Sequence, residues 1–207
     1  MHLELTGPAG RLEALLDVAP GPVRAAVVFG HPHPMHGGTM HTKAVFQGAK
    51  GLARIGCAVL RFNFRGVGGS QGDFDQGPGE MADYAAALDF MAARYPNVPL
   101  WAAGFSFGSW IALETGSVDP RVSVLIALAP PVKREGYAWD RTLASDKPKF
   151  FVQGDMDELC PIKDLWAFYA KLKEPKEIVV IDGASHLFEG KTRDVGEALE
   201  DLLGDFD

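Results

Sequence analysis

Apolar and polar positions alternate along this chain with two different periods, and the switches between them outline a fold. Near the start, Leu3–Thr6 and Arg11–Asp17 flank Gly7-Pro8-Ala9-Gly10, a turn signal, so the two segments are expected to pair as a hairpin. Largely apolar runs of strand length follow at Ala25–Phe29, Ala58–Phe62, Val98–Ala103, Val122–Ala129, Lys149–Gln153 and Ile178–Ile181. Between them lie segments with helical spacing: Lys43–Arg54, Glu80–Arg94, Ser109 onward, Ile162–Lys173 and Val195–Leu203. In the second of these, Ala82, Ala86, Phe90 and Ala93 fall on one helical face. Apolar strands alternating with helices predict an α/β protein with a mostly parallel sheet covered on both faces. The opening hairpin adds antiparallel edge strands. No repeat, low-complexity segment or linker interrupts the pattern, so residues 1–207 are expected to form one domain.

Composition narrows the partners more than the fold. The chain has 207 residues, 47% hydrophobic and 23% charged, with a net charge of -7. Its lysines and arginines form no cluster, which argues against nucleic acid or an anionic membrane as partner. The two cysteines, Cys57 in an apolar run and Cys160 in a loop-like stretch, suggest neither a disulfide framework nor a Cys-rich metal site. Met1-His2-Leu3-Glu4-Leu5 lacks the basic and apolar regions of a signal peptide, and no apolar run would span a bilayer. A soluble cytoplasmic protein is the expectation.

The candidate chemistry begins at Gly104-Phe105-Ser106-Phe107-Gly108. The pentapeptide follows an apolar strand and precedes a helix, the setting of a nucleophile elbow. Glycines two residues before and after the serine remove side chains that would collide in so tight a turn. The Ser106 hydroxyl would project from the top of the sheet above a helix N-terminus. A serine needs a base within reach, and the base needs an orienting carboxylate. In an elbow fold they follow in the order Ser, acid, His, each in a loop after a strand. Gly183-Ala184-Ser185-His186 follows the last strand, and His186 is the sole histidine after residue 41. Gly154-Asp155-Met156-Asp157-Glu158 follows the preceding strand, leaving Asp155, Asp157 and Glu158 as candidate acids.

With these motifs in order, the chain resembles an α/β-hydrolase-fold serine hydrolase. It is most similar to the small, lidless group near the dienelactone hydrolases and short-chain carboxylesterases. Further matching segments are His31-Pro32-His33-Pro34 and Asn63-Phe64-Arg65-Gly66-Val67-Gly68, and the set spans about residues 25 to 190. In that family the acid is usually the aspartate third after the glycine, a few residues before a proline. The resemblance therefore implies Asp157, with Pro161 following, rather than Asp155.

An oxyanion hole needs two backbone N–H donors. Phe107, the residue after the serine, would supply one. The other should come from the loop after Ala25–Phe29, where Pro32 and Pro34 have no N–H. The resemblance implies His33, with Met35 as the fallback. Pro32 stands where the family commonly has glycine. Arg65 and Ser70 are expected to hold the Gly-rich loop, Asn63 to Gly79, by hydrogen bonds. Gly66-Val67-Gly68-Gly69 lacks the full dinucleotide fingerprint, and no cofactor is expected.

A rival reading rests on His31, His33, His36 and His41. His-x-His-x-x-His after a strand resembles the first metal-binding segment of the metallo-β-lactamase-like hydrolases, and such imidazoles can share Zn²⁺. Met35 stands where those enzymes usually carry aspartate, and only His186 follows later. A third reading is a non-catalytic, ligand-binding member of the fold. The serine reading implies a small-molecule acyl ester as substrate. The gap from Pro130 to Pro148 is too short for a helical lid, so the pocket should be open. Its expected walls are Met35, Phe107, Leu159, Leu187 and Phe188, with Tyr137 and Trp139 at the rim.

Overall fold

The computed structural model describes residues 1–206. The hairpin is strands β1 (His2–Gly7) and β2 (Gly10–Val18). Strands β3 (Ala26–Gly30), β4 (Ala58–Phe62), β5 (Leu100–Phe105), β6 (Val122–Leu128), β7 (Lys149–Gly154) and β8 (Lys176–Ile181) follow. They form one sheet in the order β1-β2-β4-β3-β5-β6-β7-β8, parallel from β4 onward with the hairpin antiparallel at one edge. Helices α1 (Lys43–Arg54) and α6 (Thr192–Leu203) cover one face. On the other lie α2 (Pro78–Arg94), α3 (Phe107–Val118), α4 (Asp140–Ala144) and α5 (Ile162–Tyr169).

The period of two along each central strand decides which layer receives each side chain. Val27 and Phe29 of β3 pack under α1 and α6, while Ala26 and Val28 face the other layer. Trp101, Ala103 and Phe105 of β5 alternate with Leu100 and Ala102 in the same way. Both faces are buried, which is why these strands carry continuous apolar runs.

The expected elements are present, with shifted ends. The shift that bears on the site concerns β5, which ends at Phe105 rather than Ala103, and α3, which begins at Phe107 rather than Ser109. Only Ser106 separates them, because a single left-handed residue makes the whole turn. Helix α5 stops at Tyr169, short of Lys173. The five-residue α4 and a single 3-10 turn, Pro34–His36, carry too little periodicity to be read from sequence.

The Gly-rich loop after β4 is fastened at three points. Arg65 Nε and Nη2 contact Asp83 at 2.9 and 2.7 Å, and the Arg65 N–H donates to the same carboxylate at 3.0 Å. Ser70 Oγ accepts from the Glu13 N–H at 2.9 Å and donates to the Asn63 carbonyl at 2.7 Å. His31 is fully buried beneath the loop. Its Nε2 accepts from the Phe64 N–H at 3.1 Å and its Nδ1 donates to the Pro32 carbonyl at 2.7 Å.

Two stability tests follow from these anchors. Arg65→Leu leaves Asp83 buried with an unpaired charge, so urea unfolding should register a loss of about 3 kcal/mol. Burial pushes the His31 imidazole down to about 4, from its ordinary 6.5. Between those values the unfolded chain binds a proton that the fold refuses. Stability is therefore complete above about pH 6.5 and falls as pH drops toward 4, by roughly 3 kcal/mol from this group. Denaturant midpoints measured across that window should fall more steeply for the natural chain than for His31→Gln; equal slopes would count against the buried neutral ring.

Candidate active site

Parallel strands bring their C-terminal ends to one edge of the sheet, and the loops after β3, β5, β7 and β8 meet there. Ser106 sits between β5 and α3 with φ 51° and ψ -120°, a region that a non-glycine residue occupies only under constraint. The constraint is visible in the backbone. Its N–H donates to the Leu128 carbonyl at 2.9 Å, and its own carbonyl accepts from the Ser109 N–H at 2.9 Å and Ser109 Oγ at 2.6 Å. A Cβ on Gly104 would lie 2.1 Å from the Gly108 carbonyl oxygen, and one on Gly108 would lie 2.4 Å from the Gly30 oxygen. Neither position has room for a methyl group.

His186 lies between the serine and an aspartate. Its Nε2 is 3.0 Å from Ser106 Oγ and its Nδ1 is 2.9 Å from Asp157 Oδ2. The partners assign the tautomer: a carboxylate only accepts, so Nδ1 carries the proton and Nε2 presents a lone pair to the hydroxyl. Asp157 is held from four directions. Oδ1 accepts the Leu159 and Cys160 N–H groups at 2.9 and 2.7 Å, and Oδ2 also accepts Gln153 Nε2 at 3.0 Å. Asp155 points elsewhere and accepts the Gly183 N–H at 2.7 Å, tying the β7 loop to the β8 loop. Glu158 approaches only the backbone N–H of His186, at 3.5 Å.

Gln153 is a residue that sequence reasoning missed. It is fully buried at the end of β7, and its Nε2 also donates to the Cys160 carbonyl at 2.8 Å. Its Oε1 makes no hydrogen bond among the described residues. The available signal was a polar residue inside an apolar strand, directly before the acidic loop.

The backbone donors also sort themselves. The Phe107 N–H opens α3, and among the described residues neither it nor the His33 N–H is engaged in a hydrogen bond. The Met35 N–H is taken by His33 Nδ1 at 3.2 Å. A cleft of about 720 Å³ opens over Ser106 and His186, lined by His33, Phe107, Tyr137, Leu159, Cys160 and Leu187 among others.

Three expected pocket residues fall outside it. Met35 lies on the outer side of the 3-10 turn, 69% exposed and off the cleft wall. Phe188 has φ 54°, which turns its ring inward, and it packs against Phe105 with centroids 5.9 Å apart. Trp139 is buried against Phe168 at 5.1 Å, so only Tyr137 of the expected rim pair lines the cleft, stacked on Trp110 at 4.0 Å. The histidine segment does not gather around one point. His31 uses both ring nitrogens within the protein, His33 stacks on His36 at 4.5 Å at the cleft wall, and His41 is exposed. Burial, with His36 and Arg134 nearby, lowers the pKa of His33.

Comparison with known proteins agrees with this architecture. The family model described as "Serine aminopeptidase, S33" matches residues 21–145, a span that holds the elbow but not the loops of Asp157 and His186. An uncharacterized protein of Rickettsia prowazekii is 37% identical across 98% of this chain and 88% of its own. The solved structure of an α/β serine hydrolase homologue from Coxiella burnetii superposes with a TM-score of 0.90 at 40% identity, covering 98% of this chain and 97% of that one. A serine hydrolase without lid from Xanthomonas campestris gives 0.88 at 33% identity, over 97% and 92% of the two chains. Among the described residues no helix is long and apolar enough to cross a membrane. With that family model matching more than half of its length and α/β serine hydrolases, one of them without lid, superposing on nearly all of it, the chain belongs to the serine aminopeptidase S33 family of α/β hydrolases.

Proposed function

We propose that this protein is a carboxylesterase-like serine hydrolase that cleaves small or short-chain acyl esters through a covalent acyl-serine. The observation that carries the reading is the His186 ring spanning Ser106 Oγ at 3.0 Å and Asp157 Oδ2 at 2.9 Å. Ser106 Oγ attacks the ester carbonyl as its proton passes to His186 Nε2. Asp157, accepting the Nδ1–H, orients the ring and stabilises the imidazolium that forms. The Phe107 and His33 N–H groups receive the developing oxyanion. The intermediate collapses, the C–O bond to the leaving group breaks, and His186 returns the proton to the departing alkoxide. Water then repeats the sequence on the acyl-serine, releasing acid and free enzyme.

The cleft supports this substrate class. Among the described residues the segment between β6 and β7 builds only the short α4 and no helical lid. An open cleft with Leu159, Leu187 and Tyr137 on its walls suits a small acyl group better than a long chain that needs enclosure.

The nucleophile is tested by Ser106→Ala, which should lower p-nitrophenyl acetate turnover by roughly 10⁴-fold while the melting temperature holds. A phosphonate probe should leave its adduct on Ser106 by peptide mass spectrometry, and an adduct on Ser70 or Ser109 would sink the assignment.

The two aspartates should separate. Asp157→Asn keeps the size but loses the charge and favours the wrong tautomer of His186, at a cost of roughly 10²- to 10⁴-fold in turnover. Asp155→Asn removes a loop tie and should cost about tenfold or less, tracking melting temperature. An inactive Asp155→Asn beside an active Asp157→Asn would reverse the roles.

A further inference from the structure

Cys160 takes no part in the steps above, yet it lies in the wall of the same cleft as Ser106 and His186. Its backbone is clamped around the proposed acid: the N–H donates to Asp157 Oδ1 at 2.7 Å and the carbonyl accepts from Gln153 Nε2 at 2.8 Å. The side chain thus stands beside the carboxylate and the ring. One ligand atom from each of Asp157, Cys160 and His186, a carboxylate oxygen, Sγ and a ring nitrogen, lie within 4.8 Å of one another. All three residues are buried and held in place, so little conformational freedom remains to be lost on binding.

Sulfur, imidazole and carboxylate together make the donor set of a tetrahedral d¹⁰ cation such as Zn²⁺ or Cd²⁺, and a poor one for Mg²⁺, which prefers oxygen and water. We propose that Asp157, Cys160 and His186 form an inhibitory site for a zinc-type divalent cation, entered from the catalytic cleft. Binding needs no redox partner. The Cys160 thiol releases its proton to solvent and a sulfur lone pair forms the metal bond, while His186 contributes one nitrogen lone pair and Asp157 one oxygen. At rest, burial and the neighbouring Asp157 and Glu158 carboxylates push the Cys160 thiol up, so the site holds a thiol until a cation arrives.

Inhibition follows from the tautomer and rests on the catalytic reading given above; binding does not. The ring nitrogen that such a cation would share with the carboxylate is Nδ1, which lies 2.9 Å from Asp157 Oδ2. A cation on Nδ1 drives the ring proton to Nε2, so the lone pair that would accept the Ser106 proton is gone and His186 ceases to be a base.

Cadmium is the probe that separates binding from catalysis. Titrating Cd²⁺ into the reduced full-length chain should raise an ultraviolet thiolate-to-cadmium charge-transfer band that saturates at one ion per chain. The band should survive Cys57→Ser and Ser106→Ala, vanish in Cys160→Ser and Cys160→Ala, and need roughly tenfold more metal in His186→Ala. The band in Ser106→Ala is read without reference to turnover, so that titration reports the metal site whether or not the catalytic reading holds. Activity gives the second arm: Zn²⁺ should lower p-nitrophenyl acetate turnover by about tenfold or more, with Mg²⁺ inert and EDTA restoring the rate. Each Cys160 variant, compared with its own metal-free rate, should lose most of that sensitivity. No band in the natural chain, a band that persists without Cys160, or equal inhibition with and without Cys160 would each overturn the site.

Discussion

The fold depends at its centre on a backbone-to-backbone contact. The first turn of α3 rests directly on the ends of β3 and β5, with Gly108 against the main chain of Gly30 and Gly104, and a side chain on Gly104 or Gly108 would collide there. That contact leaves one residue to reverse the chain, and Ser106 accepts a left-handed conformation to do so. The strain is held by the Ser106 N–H and carbonyl, both tied into β6 and α3. A hydroxyl above the sheet edge, and a helix N-terminus with an unengaged N–H beside it, are the geometric consequences.

The opposite side of the site is built from ordinary loops, and its order comes from hydrogen bonds instead of packing. Asp157 is fixed by two backbone N–H groups, Gln153 and His186. Such a carboxylate cannot rotate without breaking several charge-assisted bonds at once. Among the described residues the buried Gln153 Oε1 has no hydrogen-bond partner, and the amide acts on the loop through its donor groups. Cys160, folded around the same carboxylate, inherits a rigid position next to the ring and makes the cluster dense in donor atoms.

The loop after β3 shows how the same residue type takes different tasks over a few positions. His31 is buried and links two loops through both nitrogens. His33, two residues on, lines the cleft with its ring against Phe107 at 5.2 Å, and among the described residues its N–H is unengaged. Pro32 between them fixes the local dihedral and removes a competing donor. A histidine-rich segment that reads as metal ligands in one dimension is divided by the fold into a loop anchor, a cleft wall and exposed side chains.

The alternation of apolar runs and helical segments determined a mostly parallel sheet with a hairpin edge and helices on both faces, because burial on both faces demands continuous apolar strands. Gly-x-Ser-x-Gly determined the elbow, since only glycine tolerates that approach. The placement of Asp157 and His186 after successive strands was legible for the same reason, as parallel strands deliver their following loops to one edge. Spacing alone left Asp155 and Asp157 as equals two residues apart. Tertiary structure turned one toward His186 and the other toward Gly183, through loop dihedrals that no periodicity encodes. It likewise sent Phe188 inward and Met35 outward, and it set Gln153 and Cys160 around the carboxylate. Those outcomes depend on single backbone angles and on contacts between residues distant in sequence, such as the 80-residue separation between Ser106 and His186, and a pattern read along one dimension carries no information about them.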